Sequence, residues 1–285
     1  MRLLSVPNWS FGRSELALDK FRGILEESGA DVHYCQSDVD HNRTVTAFSG
    51  TEEQVVGALM KLADVAFDFI DLNRHSGVHP RVGALDVCPF VLLEGDPLEA
   101  LATAEYAASK LAATYDVPMF LYEKSERGRH ESDLPSLRRG GFGSLLDKEL
   151  QPDFGPNHVH PRLGVTIIGV RDPLIAANIN FAIEDCTLVR NLANQVRELR
   201  SEGDERFLGV RAMGLALASK KQTQLSLNLT LPDLVAFDDI VDWARSEASK
   251  SGASMAGTEL IGVVRASDLI RSKWLKHRPE QVIAA

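Results

Sequence analysis

The chain has 285 residues and a mass of 31.3 kDa, enough for one large domain or two small ones with a substantial core. Its formal net charge of -9 argues against a general nucleic-acid-binding protein, because phosphate contacts favour a basic surface. No apolar run is long enough to span a membrane. The three cysteines, Cys35, Cys88 and Cys186, lie far apart, so we expect reduced thiols in a cytoplasmic protein.

The pattern of apolar residues in the first third of the chain predicts the order strand, helix, strand, strand, helix, strand. The strands are expected at residues 3–6, 32–35, 43–48 and 84–93, where apolar residues alternate or run together. Helix starts are marked by Ser14, by Thr51 with Gln54 in a capping box, and by Asp96 before Pro97. A further strand is expected at residues 117–122, after the third helix.

Residues 123–164 differ in composition from the rest of the chain, since they are rich in arginine, glycine, proline and histidine. Only residues 134–150 have a weak helical pattern. A long loop inside a compact protein is usually functional or disordered, and the apolar residues spaced along this one favour an ordered, functional segment. A strand at residues 165–170 follows it.

The second half of the chain predicts the same order of elements as the first third. Strands are expected at residues 174–183, 210–218, 224–229 and 260–264, with helices at 187–198 and 236–249. The order β-α-β-β-α-β is that of the ferredoxin-like unit. We therefore predict an α/β (α+β) protein of two ferredoxin-like βαββαβ subdomains, residues 1–173 and 174–285, with helices packed on mixed or antiparallel sheets. A ligand cleft between the two subdomains is expected.

The loop after the second helix carries the strongest candidates for chemistry. His79 follows Gly77 and precedes Pro80 and Arg81, so it is mounted on a loop that lets backbone approach a ligand, and its imidazole suits proton transfer near neutrality. His75 is expected to stabilise the C-terminus of the preceding helix as a cation. A metal site on His75 and His79 is disfavoured, because the loop supplies no third ligand.

Two further polar clusters are either turns or binding segments. Asp38, Asp40, His41, Asn42 and Arg43 stand at a strand entrance, where such residues often satisfy their own backbone. Residues 152–164 hold His158, His160 and Arg162, which is consistent with a plain surface loop as well as with a site. A serine hydrolase is disfavoured, because Ser10 lacks the leading glycine of the nucleophile elbow, and no phosphate-binding glycine loop is present.

Together these motifs resemble the formiminotransferase family, whose members transfer a formimino group from N-formimino-L-glutamate to tetrahydrofolate. The resemblance spans nearly the whole chain. It is carried by Val6-Pro7-Asn8-Trp9-Ser10, Asp40-His41-Asn42-Arg43-Thr44-Val45, Arg74-His75, His79-Pro80-Arg81, Gly83-Ala84-Leu85-Asp86-Val87-Cys88-Pro89-Phe90, Pro152-Asp153-Phe154-Gly155-Pro156, Asn178-Ile179-Asn180, Leu225-Ser226-Leu227-Asn228-Leu229 and Glu259-Leu260-Ile261-Gly262.

The resemblance implies specific roles. The family has two α/β subdomains with folate in a tunnel between them, it forms dimers, and its catalytic histidine corresponds to His79. Asp38 or Asp40 would orient that imidazole or bind pterin N–H groups, and Arg43, Arg81 and Arg162 are candidates to bind carboxylates. The family's folate-contacting segment corresponds to Gly155, Pro156, Asn157, His158, Val159, His160, Pro161, Arg162, Leu163 and Gly164.

The chain departs from the family pattern at three places. Phe11 and Val78 stand where the family often has glutamate, and Gly140-Gly141-Phe142-Gly143 replaces an acidic stretch. Another tetrahydrofolate-dependent one-carbon reaction, such as one on 5-formyltetrahydrofolate, and a non-catalytic folate-binding module are therefore alternatives. The chain ends where the transferase part would, so we expect a separate cyclodeaminase to use the product. No metal is implied.

Overall fold

A computed structural model describes residues 1–284 of the chain. By internal contacts the chain divides into two units, the first spanning Met1–Asp172 and the second beginning at Pro173. Each unit combines helices with a mixed or antiparallel sheet, which confirms the predicted α+β class. No helix among the described residues combines the length and the apolar character that a membrane span requires.

The first unit is built on a seven-stranded sheet. Its strands are β1 (Arg2–Ser5), β2 (Asn8–Trp9), β3 (Asp31–Asp38), β4 (Arg43–Gly50), β5 (Leu85–Glu94), β6 (Met119–Leu121) and β7 (Thr166–Val170). Its helices are α1 (Glu15–Glu27), α2 (Glu52–Phe69), α3 (Pro97–Tyr115) and α4 (Leu134–Leu137).

The strand order of this sheet contains a ferredoxin-like core. Strands β1 and β2 both pair antiparallel with β4 and β5, so they act as one strand interrupted before Asn8. Strand β3 pairs with β4 at the edge, which gives the order β3, β4, β1/β2, β5. Strands β7 and β6 extend the sheet with parallel pairings. The prediction from residues 3–93 is therefore confirmed, and the sheet is longer than predicted.

The three predicted helix starts are confirmed. The Ser14 hydroxyl accepts the N–H of Ala17 at the start of α1. Thr51 and Gln54 form the reciprocal capping box of α2, and Asp96 caps α3. The buried sides of α1, α2 and α3 form the main core with the sheet, centred on large side chains such as Trp9, Phe21, Phe48, Leu59 and Phe90.

The segment of residues 123–164 is ordered and packs on a second, smaller core. Apolar side chains from it, including Leu134, Leu137 and Leu145, contact Val82, Val87, Tyr122 and Ile167. The weak helical pattern noted over residues 134–150 corresponds to an α-helix only at Leu134–Leu137. Gly140 and Gly141 have φ of 84° and 65°, left-handed values that a continuous helix cannot include. A short 3₁₀ turn at Phe142–Ser144 follows instead.

The second unit repeats the ferredoxin-like order in a four-stranded antiparallel sheet, β11-β8-β10-β9. Its elements are β8 (Ile175–Phe181), α5 (Thr187–Ser201), β9 (Val210–Leu217), β10 (Gln222–Leu229), α6 (Phe237–Lys250) and β11 (Met255–Ile261). The strand predicted over residues 260–264 is wrong in extent. It starts earlier and stops before Gly262, whose φ is 73°. Beyond it lie β12 (Val264–Arg265), α7 (Ala266–Ile270) and β13 (Val282–Ile283), with β12 and β13 parallel.

Candidate active site

The candidate loop lies between the end of α2 and the start of β5. Helix α2 ends at Phe69, and the Ile70 N–H donates the final helical hydrogen bond to the Ala66 carbonyl. A 3₁₀ turn at Leu72–Arg74 intervenes before His75. The expectation that His75 stabilises the helix C-terminus is therefore wrong, because the chain leaves the helix axis before that residue.

Arg162 occupies the helix end instead. Its guanidinium donates to the carbonyl oxygens of Phe67, Asp68 and Ile70 at 2.6, 3.1 and 3.0 Å. These are the carbonyls that an α-helix leaves without internal partners, and a cation is favoured beside them. Arg162 thus anchors the segment of residues 155–164 to α2, and we do not assign it a role in binding substrate carboxylate.

Arg81 joins the candidate loop to the turn between β3 and β4. One guanidinium nitrogen donates to the carbonyls of His41 and His79 at 3.0 and 2.6 Å. The other donates to the Asn42 carbonyl at 3.3 Å and to Nδ1 of His75 at 2.6 Å. Because these donors point at the protein's own backbone and at an imidazole, Arg81 shapes the site rather than offering a free fork to a ligand carboxylate.

Asn42 and two glycines complete the contact between the loops. The Asn42 amide donates to the Ser76 carbonyl at 2.9 Å, and its oxygen accepts the Gly12 N–H at 2.8 Å. A Cβ on Gly77 would lie 2.4 Å from the His41 carbonyl oxygen, and one on Gly12 would lie 2.1 Å from that of Asp38. Only glycine permits backbones to approach this closely, so the packing explains both residues.

His79 is held as a neutral imidazole. Its Nδ1 lies 2.8 Å from the Pro80 carbonyl oxygen, which can only accept, so Nδ1 carries the proton and Nε2 keeps its lone pair. Burial, and then the positive charges of Arg43 and Arg138, hold the pKa of His79 well below its ordinary range. An uncharged imidazole with a free Nε2 is able to accept a proton at neutral pH.

His41 lies beside His79, a relationship that the sequence did not reveal. The two rings stack with centroids 5.8 Å apart and planes inclined by 25°. His41 is 3% exposed, and its backbone N–H donates to Oδ1 of Asp38 at 2.7 Å. Asp40 accepts the Val78 N–H through its carbonyl at 3.1 Å. The turn that holds Asp38 and Asp40 therefore contacts the loop that holds His79.

Arg43 is the predicted arginine whose guanidinium is free. It makes no hydrogen bond or ion pair with any other side chain or backbone group that the structure describes, whereas Arg81 and Arg162 are engaged. Burial, and then the charge of Arg138, lower the pKa of Arg43 to about 10. An unpaired guanidinium near that of Arg138 favours an anionic ligand. A carboxylate bound to it in bidentate fashion would offset both the cost of burying its charge and the repulsion between the two cations.

A buried ion pair ties the long segment to the same site. Arg138, whose side chain is 14% exposed, pairs with Asp86, whose side chain is 4% exposed. The other oxygen of Asp86 accepts the Val82 N–H at 2.7 Å. The sequence did not indicate that Arg138 pairs with Asp86, since their contact spans 52 positions of the chain.

The segment of residues 155–164 divides into two parts. Residues 160–164 form a turn in which Nδ1 of His160 accepts the N–H groups of Arg162 and Leu163 at 3.1 and 3.0 Å. The Leu163 carbonyl accepts the Ala84 N–H at the far end of the candidate loop. The earlier part contacts other segments. The Asn157 carbonyl accepts the Leu150 N–H, and the backbone of Gly155 packs closely against the Val117 carbonyl oxygen.

Residues at two other predicted positions belong to the framework. The Ser10 hydroxyl is buried and donates to the Gly83 carbonyl at 2.6 Å, which fits neither a nucleophile nor a ligand contact. Phe11 is also buried and packs edge-on against Phe21 and Phe69, with ring centroids 4.9 and 5.2 Å away. Val78, by contrast, is 39% exposed next to His79.

Family models match almost the whole chain. The model described as the N-terminal subdomain of the formiminotransferase domain matches residues 2–171. The model described as the formiminotransferase domain matches residues 176–282.

Curated relatives agree with these matches. The chain is 30% identical over 271 residues to a glutamate formimidoyltransferase of Streptococcus pyogenes, covering 93% of this chain and 89% of that protein. A glutamate formimidoyltransferase of Thermoplasma acidophilum is 29% identical, with 93% and 88% covered. The formimidoyltransferase-cyclodeaminase of Sus scrofa is 33% identical over 91% of this chain, and the chain spans 49% of its length.

Proposed function

The chain belongs to the formiminotransferase family, and from that premise we propose that it is a glutamate formimidoyltransferase. It transfers the formimino group of N-formimino-L-glutamate to tetrahydrofolate and gives 5-formiminotetrahydrofolate and L-glutamate. The observation that carries the proposal is the neutral His79, held next to the free guanidinium of Arg43 in a chain that matches this family over nearly its full length.

His79 is the proton carrier of this reaction. Attack by N5 of tetrahydrofolate on the formimino carbon forms a C–N bond and a tetrahedral centre. Nε2 of His79 takes the proton that N5 must lose. The same proton then passes to the glutamate nitrogen as its bond to carbon breaks, so the imidazole ends neutral. General acid–base catalysis of this kind contributes about 10²- to 10⁴-fold.

Arg43 binds a substrate carboxylate. Both substrates carry carboxylates: the glutamate part of the formimino donor and the glutamate tail of the folate. Arg43 is half-buried, and its donors have no partner within residues 1–284. A carboxylate placed there would also balance the positive charge around His79, since Arg138 is already paired with Asp86.

Tetrahydrofolate is the co-substrate, and residues 155–164 belong to its binding segment. The support for this assignment is the family resemblance together with the firm attachment of residues 160–164 to α2 and to the candidate loop. Asp38 and Asp40 lie in the turn that contacts the His79 loop, where they orient the loop and are candidates for pterin N–H groups. Rigid elements on both sides suit the holding of two substrates in one geometry.

The assembly and the setting follow the same family. We propose a homodimer that works in the cytoplasm and passes its product to a separate cyclodeaminase. Sedimentation of the purified protein tests the first point, and a coupled assay with an added cyclodeaminase tests the last.

A donor panel tests the function directly. The purified protein is assayed with tetrahydrofolate and, in separate reactions, with N-formimino-L-glutamate and N-formyl-L-glutamate, and with 5-formyltetrahydrofolate alone. Turnover with the formimino donor at the highest kcat/KM supports the proposal. Preference for another donor would replace it with a related one-carbon reaction. Calorimetric binding of folate without turnover on any donor would indicate a non-catalytic binding module.

A further inference from the structure

His41 is fixed more firmly than the histidine beside it. Its backbone N–H bonds the Asp38 carboxylate, and its carbonyl accepts from Arg81. Its ring is buried at 3% exposure. The ring is therefore a rigid flat surface, and the imidazole of His79 rests against it with the planes 25° apart. No role has been given to His41 so far in the transfer reaction.

We propose that His41 is a positioning residue whose flat ring sets the orientation of the His79 imidazole. The inference rests on the proposed role of His79 as proton carrier. With the ring held in this plane, Nδ1–H points at the Pro80 carbonyl and Nε2 is left as the basic atom.

The need for such a support follows from the freedom of the His79 side chain. The second torsion of histidine has a broad, roughly two-fold preference, so a flipped ring costs little by itself. A flip would move Nδ1 away from Pro80 and would displace Nε2 from the position at which it accepts the proton. One hydrogen bond holds the ring edge, and stacking against His41 holds its face.

The charges around the pair explain why the His79 ring remains uncharged. Arg43 from β4 and Arg138 from the end of α4 act on His79 with positive charge. Arg81 lies close to both backbones, and Asp38, Asp40 and Asp86 are the acids of the same cluster. A proton on His79 would face these cations, so the neutral His79 ring is the favoured resting state.

The test compares ring shape with ring chemistry at position 41. His41→Phe keeps a flat ring and removes the nitrogens, His41→Leu keeps apolar bulk without a flat face, and His41→Ala removes both. We expect kcat to fall at least about tenfold in the Leu and Ala variants, because misplacing a reacting group by about 1 Å costs up to about 10²-fold. The Phe variant should retain kcat within about threefold, with both KM values unchanged in all variants.

A second readout needs no substrate. In ¹⁵N-histidine spectra, His79 should be the Nδ1–H tautomer in the native protein and in His41→Phe, and a mixture of tautomers in His41→Leu and His41→Ala. His277→Phe, an exposed histidine of the second unit, is the matched control. If His41→Phe loses as much kcat as His41→Ala, or if the tautomer of His79 is the same in every variant, the proposal is wrong. Because the spectra are recorded without substrate, they decide the point even if the native protein fails the donor panel.

Discussion

The guanidinium of Arg81 lies against both ring nitrogens of His75, 2.6 Å from Nδ1 and in hydrogen-bond contact with Nε2. A guanidinium N–H can donate only to an unprotonated ring nitrogen, and Nε2 also lies 3.0 Å from the Asn42 carbonyl oxygen, so the ring carries a single proton and is neutral. Burial, and then the charge of Arg81, lower the pKa of His75 to about 4. The join between the two loops therefore depends on an uncharged histidine.

This arrangement predicts loss of stability in mild acid. The unfolded chain takes up a proton on His75 below about pH 6.5, whereas the folded chain does so only near pH 4. The contribution of His75 to the free energy of unfolding should therefore fall as the pH drops through that window and level off below it. The lowered pKa of His160 acts in the same direction. Urea unfolding across the window measures the effect, and an unchanged slope in His75→Asn would contradict it.

His79→Asn tests the proton carrier. The amide keeps polarity and similar size but cannot accept a proton, so kcat should fall by about 10²- to 10⁴-fold. Folate affinity measured by calorimetry should stay within about threefold, because His79 acts on N5 in the transition state whereas ground-state folate binding is assigned to residues 155–164. His277→Asn, an exposed change in the second unit, controls for the substitution itself. Wild-type turnover in His79→Asn would remove the residue from the mechanism.

Arg43→Gln tests carboxylate binding. Losing hydrogen bonds to a charged group costs about 1.5–3 kcal/mol, which raises the KM of the substrate concerned by about 10- to 100-fold. The KM of Arg43→Lys should lie between those of the native protein and Arg43→Gln, because an ammonium keeps the charge but cannot make the bidentate contact. Arg22→Gln, which removes only an exposed pair with Asp19, is the control. A higher KM for formiminoglutamate would assign Arg43 to the donor, and a higher KM for tetrahydrofolate would assign it to the folate tail. If neither KM rises, Arg43 does not bind a substrate carboxylate.

Arg162→Gln tests the cap on α2. Three helix carbonyls lose a charged donor, so the free energy of unfolding should fall by about 1.5–3 kcal/mol. Arg74→Gln is the matched control, since that arginine side chain is 88% exposed in its pair with Asp71 and should cost less than about 0.5 kcal/mol. Urea denaturation of the two variants supplies the comparison. If the two variants have equal free energies of unfolding, the hydrogen bonds from Arg162 to the end of α2 do not stabilise the fold.

The sequence predicted the local features and most of the topology. Caps such as Ser14 and the pair Thr51 and Gln54 are encoded within four residues, and the strand order follows from hydrophobic periodicity. Contacts between distant segments were out of reach. Arg162 reaches Phe67 across 95 positions, and nothing local indicates that pairing. His75 was misassigned for a different reason: its partner Arg81 is only 6 positions away, but the sequence did not show the 3₁₀ turn at Leu72–Arg74 that separates His75 from the helix end.

The pair of Asp86 and Arg138 constrains how this protein can be recombined. A chimera with its crossover between these two positions inherits one partner from each parent. If the other parent lacks the matching charge, the chimera keeps a lone buried ion, and breaking such a pair costs about 3–5 kcal/mol. Productive crossovers in this gene should therefore fall before codon 86 or after codon 138.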